Sequence, residues 1–174
     1  MNKTTKKLVT AAIVGALYAV LTMALSPISY GPVQARVSEL MCVLPFFLPY
    51  TAWGLFFGCM IANLVSAAGI LDIVFGSLAT LGACLCMAAL GKRGAERFAD
   101  RLLACLMPVV WNGVIVGAVL CYAFTNQSPL DAPAAFAIYA GQVALGEAVV
   151  MLAGGLPLMS YLPKQAFFRA MCDE

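Results

Sequence analysis

The segment Tyr30-Gly-Pro-Val-Gln-Ala-Arg-Val-Ser-Glu39 gathers Tyr30, Gln34, Arg36, Ser38 and Glu39 into one short polar stretch. The chain around it is 63% hydrophobic and only 10% charged. A hydrogen-bonding group in apolar surroundings needs a partner or a purpose, because burying it unpaired is costly. The chemistry these residue types can do together is recognition. Carboxylates accept hydrogen bonds, Arg and the amides donate, and a Tyr ring offers a flat face.

Other polar groups lie alone in apolar runs. Glu147 sits within such a run, and an ionisable side chain inside a membrane helix is by default a functional candidate; the alternatives are snorkelling or pairing with Arg36. Asp72 follows the turn Ala67-Ala-Gly-Ile-Leu71 and Glu39 opens an apolar segment. Either carboxylate could be a helix N-cap, with Ser38 competing at the second position. Asn63, Asn112 and Gln142 could hydrogen-bond a neighbouring helix or a ligand. Trp111 and Tyr30 could stack on a planar ring. Asp131, in a polar proline-containing loop, reads as a solvated charge.

Several functions are excluded. The chain has no His, so the common general base is missing, and it carries neither HExxH nor GxSxG. We expect no catalytic residues and no enzyme activity. No GxxxxGK[ST] loop is present, so the chain has no ATPase signature of its own. The 7 cysteines are scattered without a CxxC pair, which reads as small apolar filler rather than a metal site. No cofactor is implied.

The elements that position these groups must be membrane helices. So apolar a chain of 174 residues cannot hide its surface in a water-soluble core, and lipid requires internally satisfied backbone. The runs are continuous rather than alternating, which excludes a β-barrel. The reading is an all-α, single-domain integral membrane protein with six transmembrane helices, at 8–26, 38–50, 51–68, 71–90, 102–124 and 134–162. The first run is a retained helix rather than a signal peptide, ended by Pro27 and the Tyr30-Gly-Pro32 turn. The second is short, bounded by Pro45 and Pro49, and forms a tight hairpin or partly broken pair with the third. The last is interrupted near Gly154-Gly155 and stopped by Pro163.

Orientation follows from the basic residues. With six helices, Lys3, Lys6, Lys7, Lys92, Arg93, Arg97, Arg101, Lys164 and Arg169 fall on one side. That is every basic residue but Arg36 of the 10 in the chain. Both termini are then cytoplasmic, in a multi-pass protein of the cell membrane, and the polar segment faces outward. Small residues recur on the first helix, with Ala12, Ala16 and Val20 on one stripe and Ala11, Gly15 and Ala19 on the next. Such stripes serve internal packing or docking of another membrane protein, and spacing leaves both open.

Three strings, Tyr30 to Glu39 as written above, Leu44-Pro-Phe-Phe47 and Leu71-Asp-Ile-Val-Phe-Gly-Ser-Leu-Ala-Thr80, resemble the QueT family. These are substrate-binding (S) components of energy-coupling factor transporters associated with uptake of queuosine precursors. The resemblance spans most of the chain. It implies a six-helix S-component fold with an outward ligand pocket, a partner transmembrane coupling protein and two cytoplasmic ATPases. It also implies a surround of membrane lipids, no nucleic-acid partner, and docking of the coupling protein on Ala12 and Ala16.

A 7-deazaguanine offers a ring N–H beside an exocyclic amine, plus a carbonyl. A carboxylate suits the two donors, while an amide or Arg suits the carbonyl. Aromatic faces such as Trp111 and Tyr30 suit the bicyclic ring. Glu147 is the expected base-edge acceptor, with Asn112, Gln142 or Gln34 donating to the carbonyl. Asp72 or Glu39 would hold the substituent or close the outer loop through Arg36, and Asn63 completes the polar set. An S component for another small vitamin or nucleobase, and a non-transport membrane assembly factor, are the rival readings.

Overall fold

A computed structural model describes residues 2–31, 33–93 and 97–172. The expected turn residue Pro32 and part of the basic loop, 94–96, lie outside the described residues. Among the described residues there is no strand; every regular element is helical.

Helix α1 spans Lys3–Ala24 and begins earlier than the apolar run, because Asn2 caps it by accepting from the Thr4 backbone N–H. The basic residues of the first turns are good helix formers and extend it at no cost in burial. A single helical turn, Ser26–Ser29, carries Pro27 near its start. Helix α2, Val37–Phe47, is a 3₁₀ segment through Val43 followed by an α turn from Leu44. Pro45 falls in the first turn of that α piece, where its missing N–H is not needed. The helix therefore runs through Pro45 and ends ahead of Pro49. Helix α3, Thr51–Val65, closes in a 3₁₀ turn from Asn63.

Helix α4, Asp72–Gly91, opens with a π turn over Asp72–Gly76. Helix α5, Phe98–Thr125, is capped by Asn126 in the left-handed conformation. Helix α6, Pro133–Lys164, contains a second π turn at Met151–Gly155 and ends in a 3₁₀ turn that includes Pro163. The expected interruption near Gly154-Gly155 is thus a widened turn and not a break. A short helix α7, Ala166–Cys172, seats Phe168 edge-on against Phe47, with ring centroids 5.4 Å apart.

Among the described residues four segments, α1, α4, α5 and α6, have the length and apolar character of membrane spans; α2 and α3 are shorter apolar helices. At ~1.5–2 Å per residue neither of these two reaches the ~30 Å hydrocarbon thickness. Large apolar side chains such as Ile13, Leu17, Phe57, Leu85, Val114 and Val149 point outward from the bundle. That surface suits lipid, because outside water an exposed Leu or Phe carries no penalty.

Missing side chains set the closest packing. A Cβ added at Gly58 would lie 2.9 Å from the Gly15 carbonyl carbon, and one at Gly54 would lie 2.7 Å from that of Ala11. Thus α1 and α3 run parallel at backbone contact. Gly117 and Gly113 of α5 meet Ala140 and Ala144 of α6 in antiparallel packing. The two stripes of α1 therefore separate. Gly15 and Ala19 are buried on the α3 side, with Ala11 half-buried there, whereas Ala12, Ala16 and Val20 are exposed. At the end bearing the chain termini, Lys3, Lys6, Lys7, Tyr50 and Met171 border one cleft. The polar segment lies at the opposite end of α1.

Candidate ligand-binding site

The segment after α1 is held by two backbone features. Gln34 has a φ of 45°, a left-handed conformation that costs an ordinary residue roughly 1–2 kcal/mol. Its N–H donates to the Gly31 carbonyl at 3.1 Å. Gly146 of α6 lies directly beneath, since a Cβ there would come within 3.1 Å of Ala35 N and of the Gln34 carbonyl carbon. The chain from 33 to 35 rests on bare helix backbone, and Gln34 is turned inward and buried.

Arg36 follows, only 3% exposed. Its Nη2 lies 3.2 Å from Asp72 Oδ2, a buried ion pair joining the α2 entry to the π turn of α4. Ser66 Oγ donates to the same carboxylate oxygen at 2.6 Å, and Asn63 Nδ2 donates to the Asp72 carbonyl at 2.8 Å. Gly76 makes room, for a Cβ there would lie 2.9 Å from Asn63 Nδ2 and closer still to Asp72 Oδ1. Asp72 is therefore an ion-pair partner, and the alternative of a plain helix cap does not describe it. The Tyr30 ring stacks with the Arg36 guanidinium, 5.6 Å from centroid to Cζ, and its hydroxyl donates to the Ala62 carbonyl.

The cysteines at this level are more than filler. Cys59 Sγ accepts from Asn63 Nδ2 at 3.5 Å, from Thr80 Oγ1 at 3.4 Å and, more distantly, from Arg36 Nη1. Cys42 Sγ donates to Glu39 Oε2 at 2.9 Å. The other Glu39 oxygen accepts from the Tyr18 hydroxyl of α1. Beside it, the Thr22 and Ser38 hydroxyls are 2.6 Å apart. Neither Glu39 nor Ser38 caps α2; both tie it to α1.

Glu147, 1% exposed, is not paired with Arg36. Its Oε1 accepts from Asn112 Nδ2 at 2.9 Å, joining α6 to α5. Among the described residues, buried polar atoms with no hydrogen-bond partner include Arg36 Nε, Asn63 Oδ1, Asp72 Oδ1, Asn112 Oδ1 and Glu147 Oε2. Buried side-chain polar atoms are ordinarily satisfied, so five such atoms, one on each of α3, α4, α5 and α6 and one on the segment entering α2, are a concentrated exception.

A cavity of about 420 Å³ lies beside the Arg36–Asp72 part of this network. It is lined by Tyr30, Gly31, Gln34, Ser66, Ala67, Ala68, Leu120, Phe124, Tyr139 and Gln142. Ser66 and Tyr30 belong both to its wall and to the polar network, through Asp72 and Arg36. Of the expected site residues, Tyr30, Gln34 and Gln142 line the cavity; Arg36, Asp72 and Asn63 form buried polar contacts that reach its wall through Tyr30 and Ser66, and Asn112 with Glu147 forms a separate buried pair between α5 and α6, none of these five being among the lining residues. Glu39 lies at the α1–α2 joint. Trp111 packs on Gly82 of α4, where a Cβ would approach its ring within 2.7 Å, and is not among the lining residues. Besides Tyr30, the flat faces at the cavity are Phe124 and Tyr139, with centroids 5.9 Å apart and planes tilted by 33°. Sequence reasoning missed these two and Ser66. A phenylalanine in an apolar helix carries no mark of its role, but Ser66, the one hydroxyl between Asn63 and Asp72, could have been noticed.

This arrangement has the chemistry to hold a small polar molecule inside a helical bundle, and the similarity of the chain points to a transporter. A family model described as QueT transporter matches residues 8–164. The chain belongs to the QueT transporter family. It is 35% identical over 172 residues to the "Queuosine precursor transporter QueT" of Lactococcus lactis subsp. cremoris (strain MG1363). That alignment covers 92% of this chain and 94% of the relative. No solved structure matches it. As a member of the QueT family with four helices long and apolar enough to span a bilayer, the chain is a multi-pass membrane protein of transporter type.

Proposed function

We propose that this protein is the substrate-binding component of an energy-coupling factor importer. In this reading it captures a 7-deazaguanine queuosine precursor, or queuine, on the outer side of the membrane. It then hands the ligand on through a partner transmembrane coupling protein driven by two cytoplasmic ATPases. The observation that carries the ligand reading is a cavity of about 420 Å³ whose wall residues Ser66 and Tyr30 join a buried polar network that holds unpaired atoms. Around the Arg36–Asp72 ion pair they are two acceptors and one donor, Asp72 Oδ1, Asn63 Oδ1 and Arg36 Nε, which complement the amine, ring N–H and carbonyl of a guanine-type edge. Phe124 and Tyr139 offer apolar faces to a bicyclic ring, with stacking worth ~1–3 kcal/mol per base.

The six apolar segments are read as six spans with both termini cytoplasmic, the charge distribution supplying the direction. The exposed stripe containing Ala12 and Ala16 is then available for the coupling protein, since Gly15 and Ala19 are already used against α3. The test is direct binding. Purified protein in nanodiscs, titrated calorimetrically with 7-deazaguanine precursors and queuine, should bind at least one of them. A flavin or thiamine found by mass spectrometry in the purified protein would replace this ligand reading.

A further inference from the structure

A groove separate from the ligand cavity runs along the outside of α5. It has a volume of about 370 Å³ and is walled by Phe75 of α4 and by Val114, Ala118 and Tyr122 of α5. Those three α5 residues are spaced four apart, so they form one stripe along the helix. The small Ala118 between two larger neighbours makes the floor. Ser128 and Pro129, in the turn after α5, border the groove at that helix's C-terminal end. Among the described residues its lining contains no charged side chain. The groove stands back to back with the ligand cavity. Val119 and Leu71 line the groove, Leu120 and Ala68 line the cavity, and all four pack in one apolar cluster.

We propose that this groove binds one acyl chain of a membrane phospholipid, in the leaflet at the same end of the bundle as the ligand cavity. Exposure, length and width select that occupant. Helices α4 and α5 have the length and apolar character of spans, and Phe75, Val114 and Tyr122 are exposed, so the groove opens sideways to hydrocarbon. From Val114 to Tyr122 the stripe runs about 12 Å, close to the ~15 Å of hydrocarbon in one leaflet. Tyr122 stands at the end near the turn, and tyrosine favours the headgroup level. A helix segment of that length, about 10 Å across, occupies roughly 900 Å³ and does not fit. A chain one methylene wide does. In place, it completes the packing behind the wall that α5 gives the ligand cavity. The inference does not depend on which ligand that cavity takes.

The test uses the full protein in phosphatidylcholine nanodiscs containing a small fraction of the same lipid with a photoactivatable diazirine on one acyl chain. Labelled positions are read by mass spectrometry of the peptides. Two α6 side chains outside the groove's lining serve as controls, at similar distances from the helix ends on that side. Leu145, 59% exposed, matches Val114 at 55%, and Ile138, 60% exposed, is paired with Phe75 at 47%. All four are apolar, which removes bias toward reactive side chains. Labelling at Val114 and Phe75 should exceed that at the controls at least about threefold, a preference of roughly 0.7 kcal/mol. Ala118→Trp fills the floor and should bring the ratio close to one. Ala118→Leu replaces that variant if it does not elute as folded protein, and the wild-type ratio tests the site without either. A wild-type ratio near one would reduce the groove to ordinary lipid-facing surface and overturn the proposal. A ratio well below one would mean that protein, such as a second copy of this chain, covers the groove, and would overturn it too. A raised ratio that neither variant lowers would place the chain outside the groove.

Discussion

Arg36 is a buried charge with a structural role and, in the proposed function, a ligand role as well. It compensates Asp72, stacks with Tyr30, and still has an unpaired Nε. Removing one partner of a buried ion pair strands the other, at a cost of about 3–5 kcal/mol. Arg36→Met should therefore lower the thermal unfolding midpoint strongly. Arg36→Met combined with Asp72→Leu removes both charges and should recover much of that stability, since apolar replacement of a buried pair is often neutral or stabilising. Ligand affinity should stay lost in the double variant. Recovery of affinity in calorimetric titration would assign the pair a purely structural role. At Gln34 the strained backbone predicts a different split: Gln34→Gly relieves the left-handed conformation, so stability should hold or rise while affinity falls with loss of the amide.

At the scale of elements, the glycines decide which helices touch. Gly15 and Gly58 allow α1 and α3 to meet at backbone contact, so Gly15→Leu should destabilise by at least about 1–3 kcal/mol through overpacking. Ala12→Leu on the exposed stripe should stay within about 0.5 kcal/mol of wild type. Equal unfolding midpoints for the two variants in detergent would contradict the assignment of the stripes. Gly146→Val acts on the loop instead. Its side chain would push the backbone of residues 33–35 off α6, so ligand affinity should fall by more than the global stability does. The π turns at Asp72–Gly76 and Met151–Gly155 alter the helix phase, and the first brings the Asp72 carbonyl to Asn63.

For the whole molecule, the proposed topology has a geometric consequence. Cys172 is exposed on α7, and Gln127 is exposed in the turn after α5. A membrane-impermeant maleimide applied to intact cells should label Gln127→Cys and leave Cys172 unlabelled until the membrane is opened. The reverse pattern would invert the proposed orientation. The outer face of α1 offers a second consequence. Ala16→Trp should leave ligand binding by the isolated protein intact yet abolish cellular uptake, because the bulk falls on the stripe that is exposed in the free protein. Loss of binding in the purified variant would show that this face is needed by the fold itself.

Sequence alone determined that the chain is a helical membrane bundle, and it marked the polar residues that had to be explained, from Tyr30 to Glu147. Burial of polar groups in lipid is so unfavourable that composition and the positions of a few charges carry that information. Family membership was likewise written in whole strings around Arg36 and Asp72. Which groups meet was decided only by tertiary structure. Arg36 stood equally open to Glu39, Asp72 and Glu147, and the crossing of α2 with the π turn of α4 selected Asp72. Tyr18 and Cys42 then took up Glu39, leaving Glu147 to Asn112. Trp111 and Phe124 lie on the same apolar helix, and no local pattern says that one meets Gly82 while the other lines the cavity. Pairing and facing depend on how helices distant in sequence cross, and that is set by where glycine removes a side chain from the interface rather than by any residue's own chemistry.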